Sequence, residues 1–474
     1  MAMIDELLRV AKPLGDSIRI GKGPALSVRD PKVVSDNIDK IVRTAALGDP
    51  REKALAQWLI RGCALEMGVI PASIHDFYLA RGQGKTPDDF TVPAINLRAL
   101  PFNAARTVFR SALATDSCAM IFEIARSEMG YTDQRPAEYS ANVLAAAIAE
   151  GYEGPVFIQG DHFQVSASRY AKDPGSEIEA ILGLSRDSIT AGFFNIDIDT
   201  STLVDLSKET IPEQQEVNYT RCVELTAGIR NLEPEGVTIS LGGEIGEVGG
   251  VNSTEPELRA FMEGFNRELG ARLPTAAGLS KISIQTGTSH GGVVLPDGSI
   301  AEVSVDFGTL QHLSAVAKEY GMGGTVQHGA STLPEEAFSR FAEANALEVH
   351  LATGFQNIFY DELPADLLEE IFAYLRANHS NERKEGQTDD QFYYKTRKRA
   401  IGPFKQAFWD LPDDTIQIIE SKLEKQFKLL FERLNIGETR EMVQRFTKVV
   451  PIQPSIEAYL ADTGGVGDIS DLDD

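Results

Sequence analysis

The sequence contains little cysteine, little positive charge and no long apolar run. Its three cysteines, Cys63, Cys118 and Cys222, stand far apart and outside any CxxC pair, which argues against a disulfide framework. Lys and Arg number 45 against 70 Asp and Glu, and the resulting net charge of −25 disfavours nucleic acid as a partner. No segment approaches the roughly 18 consecutive apolar residues of a membrane span, so no membrane partner is expected.

The start of the sequence, "MAMIDELLRVAKPLG", also lacks the apolar core of a signal peptide. Together with the unpaired cysteines, this feature predicts a cytoplasmic location. Apolar residues make up 42% of the chain and charged residues 24%, which is typical of a globular protein with a sizeable core.

Eight short β-rich runs alternate with stretches in which apolar residues recur every three or four positions, as they do in helices. Apolar strands separated by helices are typical of a parallel sheet covered on both faces. The sequence therefore predicts an α/β fold, first a closed (β/α)8 TIM barrel and alternatively an open doubly wound sheet. The predicted strands are residues 90–97, 118–125, 154–161, 193–199, 236–246, 281–287, 324–331 and 346–354.

Helical patterns also precede and follow the predicted barrel. We expect a helical N-terminal extension over residues 1–89, the barrel over 90–379 and a helical C-terminal extension over 380–460. The last segment, 461–474, is acidic and glycine-rich, which predicts a disordered tail.

Polar side chains stand at the carboxyl ends of several predicted strands. Asp161 and His162 end the third strand in "GPVFIQGDHFQV", His290 follows the sixth strand and His328 the seventh. In a TIM barrel these ends share the face that carries the active site. Three histidines with an open fourth position suit a catalytic Zn²⁺. A single histidine there is more often a hydrogen-bonded structural residue, but three at separate strand ends favour a metal site.

The loops near this face supply further candidates. Glu244 ends the fifth strand inside the glycine-rich stretch "GGEIGEVGG", which indicates a mobile loop near the site. Loops after strands seven and eight of such barrels commonly bind phosphate through backbone N–H groups, although tight turns without a ligand have similar sequences. The candidates there are Gly329, Ser331, Thr332, Thr353 and Gly354.

Five motifs, one per strand end, resemble those of class II, metal-dependent fructose-bisphosphate aldolases and their tagatose-bisphosphate relatives. The resemblance spans about residues 90 to 360, and "FTVPAINL" is similar to the opening strand of the family. "DQFYYKTR" is similar to the segment by which some members bring an arginine to the substrate phosphate. The five motifs are "QGDHF", "IDTS", "GGEIGEVGG", "TSHGG" and "QHGAST".

The resemblance implies a role for each matching residue. His162, His290 and His328 would bind Zn²⁺ or another divalent metal, and Glu244 and Asp199 would border an alternative metal position. Asp161 would be the acid/base that handles the C4 hydroxyl proton. The implied substrate-binding residues are Gly291, Gly329, Ser331, Thr332, His350, Thr353, Gly354 and Arg397.

The implied reaction is cleavage or formation of a phosphorylated ketose similar to fructose 1,6-bisphosphate. It would proceed through a zinc-stabilised enediolate of dihydroxyacetone phosphate, without a Schiff base. A monovalent cation is a possible second cofactor. A homo-oligomer, either a dimer or a tetramer, is expected.

Three departures from the family pattern leave other functions open. Gln159 replaces the usual histidine, the segment from His350 replaces an "NIDTD"-like stretch, and Val251-Asn252 replaces an acidic pair for which Glu247 or Glu255 could substitute. One alternative is a non-catalytic, chaperone-like subunit of a tagatose-bisphosphate aldolase. The other is a class I aldolase that uses Lys281, but this lysine opens its strand and is expected to face the wrong end of the barrel.

Overall fold

The computed structural model describes residues 2–21, 25–246, 251–287 and 304–461. The predicted disordered tail, apart from residue 461, lies outside these ranges. Within them, no helix combines the length and the apolar character that crossing a membrane requires.

The N-terminal extension is mainly helical but also contains three short strands that the sequence did not predict. Ile18 pairs with Val28 in a two-stranded antiparallel sheet, so the prediction of only helices and turns for residues 1–89 was incomplete. The elements are α1 (Ala2–Val10), β1 (Ile18–Ile20), β2 (Leu26–Val28), α2 (Pro31–Leu47), α3 (Pro50–Glu66), β3 (Val69–Ala72) and α4 (His75–Gly82).

Eight parallel strands close into a barrel, which confirms the predicted (β/α)8 fold. Each strand pairs with the next along the chain, and the last pairs with the first. Every predicted strand overlaps an observed one, and seven of the eight contain it entirely. These strands are β4 (Val92–Asn96), β5 (Ile121–Ala125), β6 (Gly154–Gln164), β7 (Asn195–Asp199), β8 (Ser240–Glu244), β9 (Lys281–Ile284), β10 (Thr325–Gln327) and β11 (Glu348–Leu351).

Helices connect the strands and surround the barrel. Two of them start with a capping box, in which Thr210 pairs with Glu213 and Thr254 pairs with Glu257. The helices are α5 (Pro101–Thr115), α6 (Arg126–Tyr131), α7 (Pro136–Glu150), α8 (Ala167–Lys172), α9 (Pro174–Ala191), α10 (Ile211–Leu232), α11 (Glu255–Arg272), α12 (Phe307–Glu319), α13 (Ser339–Glu343), α14 (Thr353–Asp361) and α15 (Ala365–Asn378).

The remaining helices form the C-terminal extension or are single 3₁₀ turns. The extension contains α16 (Asp389–Thr396), α17 (Lys405–Trp409), α18 (Asp413–Arg433), α19 (Arg440–Phe446) and α20 (Ile456–Leu460). The 3₁₀ turns cover Lys12–Ser17, Ser201–Leu203, Glu335–Ala337, Ser380–Glu382 and Arg397–Ala400.

The unpredicted strand β3 lies beside the amino-terminal half of β6. Val69 pairs with Gly154 there, whereas β7 joins β6 only from Gln159 onward. The backbone N–H of Ile74 also donates a hydrogen bond to Asn195 on β7. β3 has four residues, including a proline, so its local sequence carries too little strand signal to be recognised alone.

Both extensions pack on the barrel and share one hydrophobic core with it. The Phe427 ring of α18 lies 4.8 Å from that of Phe355 on α14. The two extensions also contact each other, because the indole N–H of Trp58 in α3 donates to the carbonyl of Pro454 at 2.9 Å. The predicted boundaries near residues 89 and 379 therefore fall between elements of a common core.

Candidate active site and metal centre

The end of β6 is irregular at the residues that the sequence analysis singled out. The strand continues to Gln164, three residues beyond the predicted end, with a shift in its pairing to β7 between Gly160 and Phe163. A Cβ on Gly160 would lie 2.3 Å from the Phe163 ring, so this turn of the chain requires glycine. His162 has a φ of 39°, and such an irregularity redirects the adjacent side chains.

The irregularity brings His162 next to His328 from the end of β10. His162 Nε2 lies 2.9 Å from His328 Nδ1, and the other ring nitrogen of His328 is 3.0 Å from the hydroxyl of Ser283. Asp161 completes a group of three side chains whose potential ligand atoms all lie within 4.8 Å of one another. The structure therefore brings together three of the predicted site residues.

Asp199 and Glu244 also lie beside His162, as the resemblance implied. His162 Nδ1 is 3.4 Å from Asp199 Oδ2 and 3.4 Å from Glu244 Oε2. Burial opposes protonation of His162, but the nearby carboxylates, Asp161 first, raise its pKa well above the usual value. Burial raises the pKa of Glu244 to about 7, whereas the hydrogen bond with His162 lowers that of Asp199 despite its burial.

The loops after β10 and β11 meet at the start of α14. Ser331 Oγ accepts a hydrogen bond from the backbone of Ala352 at 2.6 Å. A Cβ on Gly354 would lie 2.8 Å from the Ser331 carbonyl, so the two loops approach more closely than another residue would allow. The buried hydroxyl of Thr332 has no hydrogen-bond partner among the described residues, and Thr353 begins α14 without a side-chain cap.

Gly329 adopts a φ of 69°, a backbone conformation that favours glycine. Three of the five phosphate candidates, Ser331, Thr353 and Gly354, thus lie at a helix start whose N–H groups have no side-chain acceptor. His290 and Gly291 lie outside the described residues, so their predicted roles stay predictions.

Residues 86–422 match the profile of the family described as fructose-bisphosphate aldolase class-II. The chain belongs to this family. Class II aldolases generally depend on a metal, and the His/Asp groups described above fit that requirement. No curated protein matches the chain at a significant level.

The solved structures that match this chain share little sequence with it. A probable tagatose 6 phosphate kinase from Sinorhizobium meliloti 1021 is 15% identical, with 73% of this chain and 97% of that chain covered and a TM-score of 0.51. A fructose-bisphosphate aldolase from Campylobacter jejuni is 18% identical, with 77% and 93% covered and a TM-score of 0.44. The YdjI aldolase from Escherichia coli K12 is 14% identical, with 70% and 96% covered and a TM-score of 0.40.

His350, predicted to bind substrate, is buried inside the barrel and faces carboxylates. Its Nδ1 lies 3.0 Å from Glu123 Oε2 and 3.1 Å from Asp161 Oδ1. Its Nε2 lies 2.6 Å from Glu348 Oε1. The structure therefore places His350 against the predicted acid/base Asp161.

Lys281 opens β9, as expected, but its side chain runs inside the barrel to the layer of carboxylates. Its ammonium donates to Glu348 at 2.5 Å, Asp197 at 2.9 Å and the Gln159 amide oxygen at 2.7 Å. Burial opposes the ammonium form, but Asp197 and Glu348 raise the pKa of Lys281 above its usual value. A protonated, fully bonded lysine cannot act as a Schiff-base nucleophile, which argues against a class I mechanism.

We predict that Lys281→Met lowers the free energy of unfolding by about 3–5 kcal/mol, because two buried carboxylates lose their cation. Urea unfolding measures this change. Lys318→Met is the matched control, since Lys318 pairs with Asp88 near the surface and its loss is expected to change stability by less than about 1 kcal/mol. Equal, small effects of both substitutions would contradict a structural role for Lys281.

Arg397 stacks between two aromatic rings of the C-terminal region. Its guanidinium carbon lies 4.8 Å from the ring centre of Tyr360 and 4.5 Å from that of Tyr394. The same group donates to Asn357 Oδ1 at 2.6 Å. Tyr360 and Asn357 belong to α14, so Arg397 contacts the helix that begins at the phosphate candidates.

We predict that Arg397→Ala raises the KM for a bisphosphorylated ketose much more than the KM for a monophosphorylated one, because a guanidinium can bind a phosphate through two hydrogen bonds. Steady-state kinetics on both substrates measure the difference. Arg399→Ala is the matched control, since Arg399 faces Glu382 at 3.4 Å. An equal effect on the two substrates would assign Arg397 to packing alone.

The acidic pair of the family's mobile loop has no obvious replacement among the described residues. Val251 is 84% exposed, and Asn252 donates a hydrogen bond to Asp306 at 3.2 Å. Glu255 bonds to Arg259 and lies 2.6 Å from His312 on the surface. Glu247 lies outside the described residues.

Two interior residues that sequence reasoning missed are Glu123 and Glu348. Glu123 lies in the middle of β5 and Glu348 begins β11, and all residues of both strands are buried. A charge in such a strand must be paired or protonated, and this signal was available in "MIFEIA" and "ALEVHL".

Proposed function

We propose that the chain is a metal-dependent aldolase that cleaves and forms a phosphorylated ketose similar to fructose 1,6-bisphosphate. The main support is the meeting of Asp161, His162 and His328 at the carboxyl end of the barrel. Zn²⁺ is the first candidate for the metal, because two imidazole nitrogens 2.9 Å apart beside carboxylates form a donor set that this ion accepts.

The donor set around His162 fits a divalent cation on charge as well as on geometry. Asp161, Asp199 and Glu244 supply acidic groups within 4 Å of the imidazole, and all three are buried. Such crowded buried carboxylates are stabilised by a bound cation. A bound divalent ion supplies Lewis-acid polarisation of the ketose carbonyl.

Asp161 takes the proton of the C4 hydroxyl as the C3–C4 bond breaks, and returns it in the synthetic direction. Its position supports this role, because its Oδ1 lies 3.8 Å from His162 Nε2, next to the metal candidates. The side chain of Asp161 is 7% exposed, so bulk water has little access to it. Its contact with His350 at 3.1 Å orients the carboxylate.

The N-terminus of α14 binds one phosphate of the substrate. Backbone N–H groups at Thr353 and Gly354 point towards an anion at such a helix start, and the helix dipole favours negative charge there. The buried, unpartnered hydroxyl of Thr332 supports this role, because a phosphate oxygen would accept its hydrogen bond.

The experiment is an aldol cleavage assay on the purified full chain with several ketose mono- and bisphosphates, with the protein's metal content measured in parallel. We expect one bisphosphate to be cleaved to dihydroxyacetone phosphate and an aldehyde. We also expect no lysine adduct after borohydride treatment in the presence of substrate. Metal-loaded protein that cleaves none of these sugars would contradict the proposal and favour the non-catalytic subunit. Light scattering tests the expected dimer or tetramer.

A further inference from the structure

The face of β9 that lines the barrel interior carries a serine two residues after Lys281. Side chains along a strand alternate between its two faces, so Lys281 and Ser283 share one face while Ile282 and Ile284 share the other. The hydrogen bond from the Lys281 ammonium to Glu348 shows that the first face lines the interior. Ser283 is 3% exposed, and a buried hydroxyl in this position requires a hydrogen-bond partner.

The partner of the Ser283 hydroxyl is His328, which follows β10. Ser283 Oγ lies 3.0 Å from His328 Nε2 and makes no other hydrogen bond within the part of the chain that the structure describes. The other ring nitrogen of His328, Nδ1, lies 2.9 Å from His162 Nε2. The imidazole of His328, which is 2% exposed, thus reaches from Ser283 to His162. We call the pair His162 and His328 the histidine site.

The bond at one nitrogen of an imidazole decides what the other nitrogen can do. A neutral ring has one N–H group and one nitrogen with a free lone pair, and only the lone pair binds a metal ion. Nδ1 of His328 faces His162, so a ligand role for Nδ1 places the proton on Nε2. A buried N–H group without an acceptor is unfavourable, and the hydroxyl oxygen of Ser283 is in position to accept its hydrogen bond.

A hydroxyl also suits the charge of the histidine site better than a carboxylate would. Asp161, Asp199 and Glu244 already lie within 4 Å of the ring nitrogens of His162. A further carboxylate beside His328 would add buried negative charge, which is costly. The hydroxyl of Ser283 accepts the same hydrogen bond without adding that charge.

We propose that Ser283 is a positioning residue of the histidine site. Its hydroxyl accepts the Nε2 proton of His328, which fixes the orientation of the ring and keeps the lone pair of Nδ1 on the side of His162. Ser283 lies outside the five motifs by which the chain resembles its family. The inference rests on the metal centre of the proposed function.

The test is the Zn²⁺ affinity of the full chain, measured by competition with a chelator of known affinity. Ser283→Ala is expected to weaken binding by about 10–100-fold, the usual effect of removing such a partner of a metal ligand. Ser283→Thr keeps a hydroxyl and is expected to bind with an affinity close to that of the wild type. Ser240→Ala is the matched control, since Ser240 is a buried serine on β8 whose hydroxyl bonds to Ser280 at 2.7 Å.

Thermal unfolding without and with Zn²⁺ separates positioning of the ligand from simple packing. Ser283→Ala and Ser240→Ala each remove one buried hydroxyl, so both are expected to lower the melting temperature of the metal-free chain. A bound ion stabilises the folded state in proportion to the logarithm of its affinity. The rise in melting temperature on addition of Zn²⁺ is therefore expected to be smaller in Ser283→Ala and unchanged in Ser240→Ala.

The outcomes distinguish this inference from the proposed function. Wild-type affinity and a wild-type zinc-induced rise in Ser283→Ala would overturn the role of Ser283 and leave the metal centre in place. Equal weakening in Ser283→Ala and Ser283→Thr would also overturn it, because the space at this position rather than the hydroxyl would then matter. A wild-type chain that binds no Zn²⁺ would contradict the metal centre of the proposed function and the role of Ser283 together.

Discussion

Removal of divalent metal from the purified chain is expected to abolish aldol cleavage, with a loss of at least about 10³-fold in turnover, because a Lewis acid contributes several kcal/mol to such a reaction. Dialysis against a chelator followed by a cleavage assay measures the effect. Activity is expected to return when Zn²⁺ or another divalent ion is added back.

Single substitutions locate the ion responsible for this effect. His162→Asn and His290→Ala are each expected to lose the ion of the histidine site together with activity. His312→Ala is the matched control, since His312 lies on the surface beside Glu255 and its loss should change neither quantity. Full activity in the metal-free protein, or unchanged metal content and activity in both site variants, would contradict a histidine-bound metal.

Asp161→Asn is expected to keep the fold and the ion of the histidine site but to lower kcat by about 10²–10⁴-fold, the usual contribution of general acid/base catalysis. The amide is nearly isosteric with the carboxylate, so a change in KM should be small by comparison. Steady-state kinetics with metal content measured on the same sample separate loss of proton transfer from loss of metal.

Asp116→Asn is the matched control for this substitution. Asp116 is an aspartate that pairs with Arg440 outside the barrel mouth, so Asp116→Asn should leave kcat at the wild-type value. If Asp161→Asn also turned over at the wild-type rate, Asp161 would be a structural residue and the proposed proton transfer would be wrong.

The barrel could be predicted because each strand and helix is visible in a short window of sequence. The apolar run from Val156 to Ile158 can be recognised from these residues alone, and the polar pair Asp161-His162 indicates where the strand ends. The bulge after Gly160 could not be predicted in the same way. It depends on the ring of Phe163 and on the pairing with β7, which is distant in sequence.

The candidate site also has one part that the sequence could predict and another that it could not. The meeting of His162 and His328 followed from one topological rule, because the carboxyl ends of barrel strands share one face. The surroundings of His350 did not follow from any rule. A position just before a phosphate-type loop predicts a substrate ligand, whereas the side chain faces Glu123 and Asp161 inside the barrel.

The sequence by itself therefore determined the order of strands and helices, the residues at the strand ends and the family, since all of these depend on local pattern. Only the tertiary structure determined the interior network and the place of β3. Glu123, Lys281 and Glu348 stand on separate strands, and whether their side chains meet depends on the stagger between strands when the barrel closes. That stagger is a property of the whole ring, because every strand must match two neighbours at once.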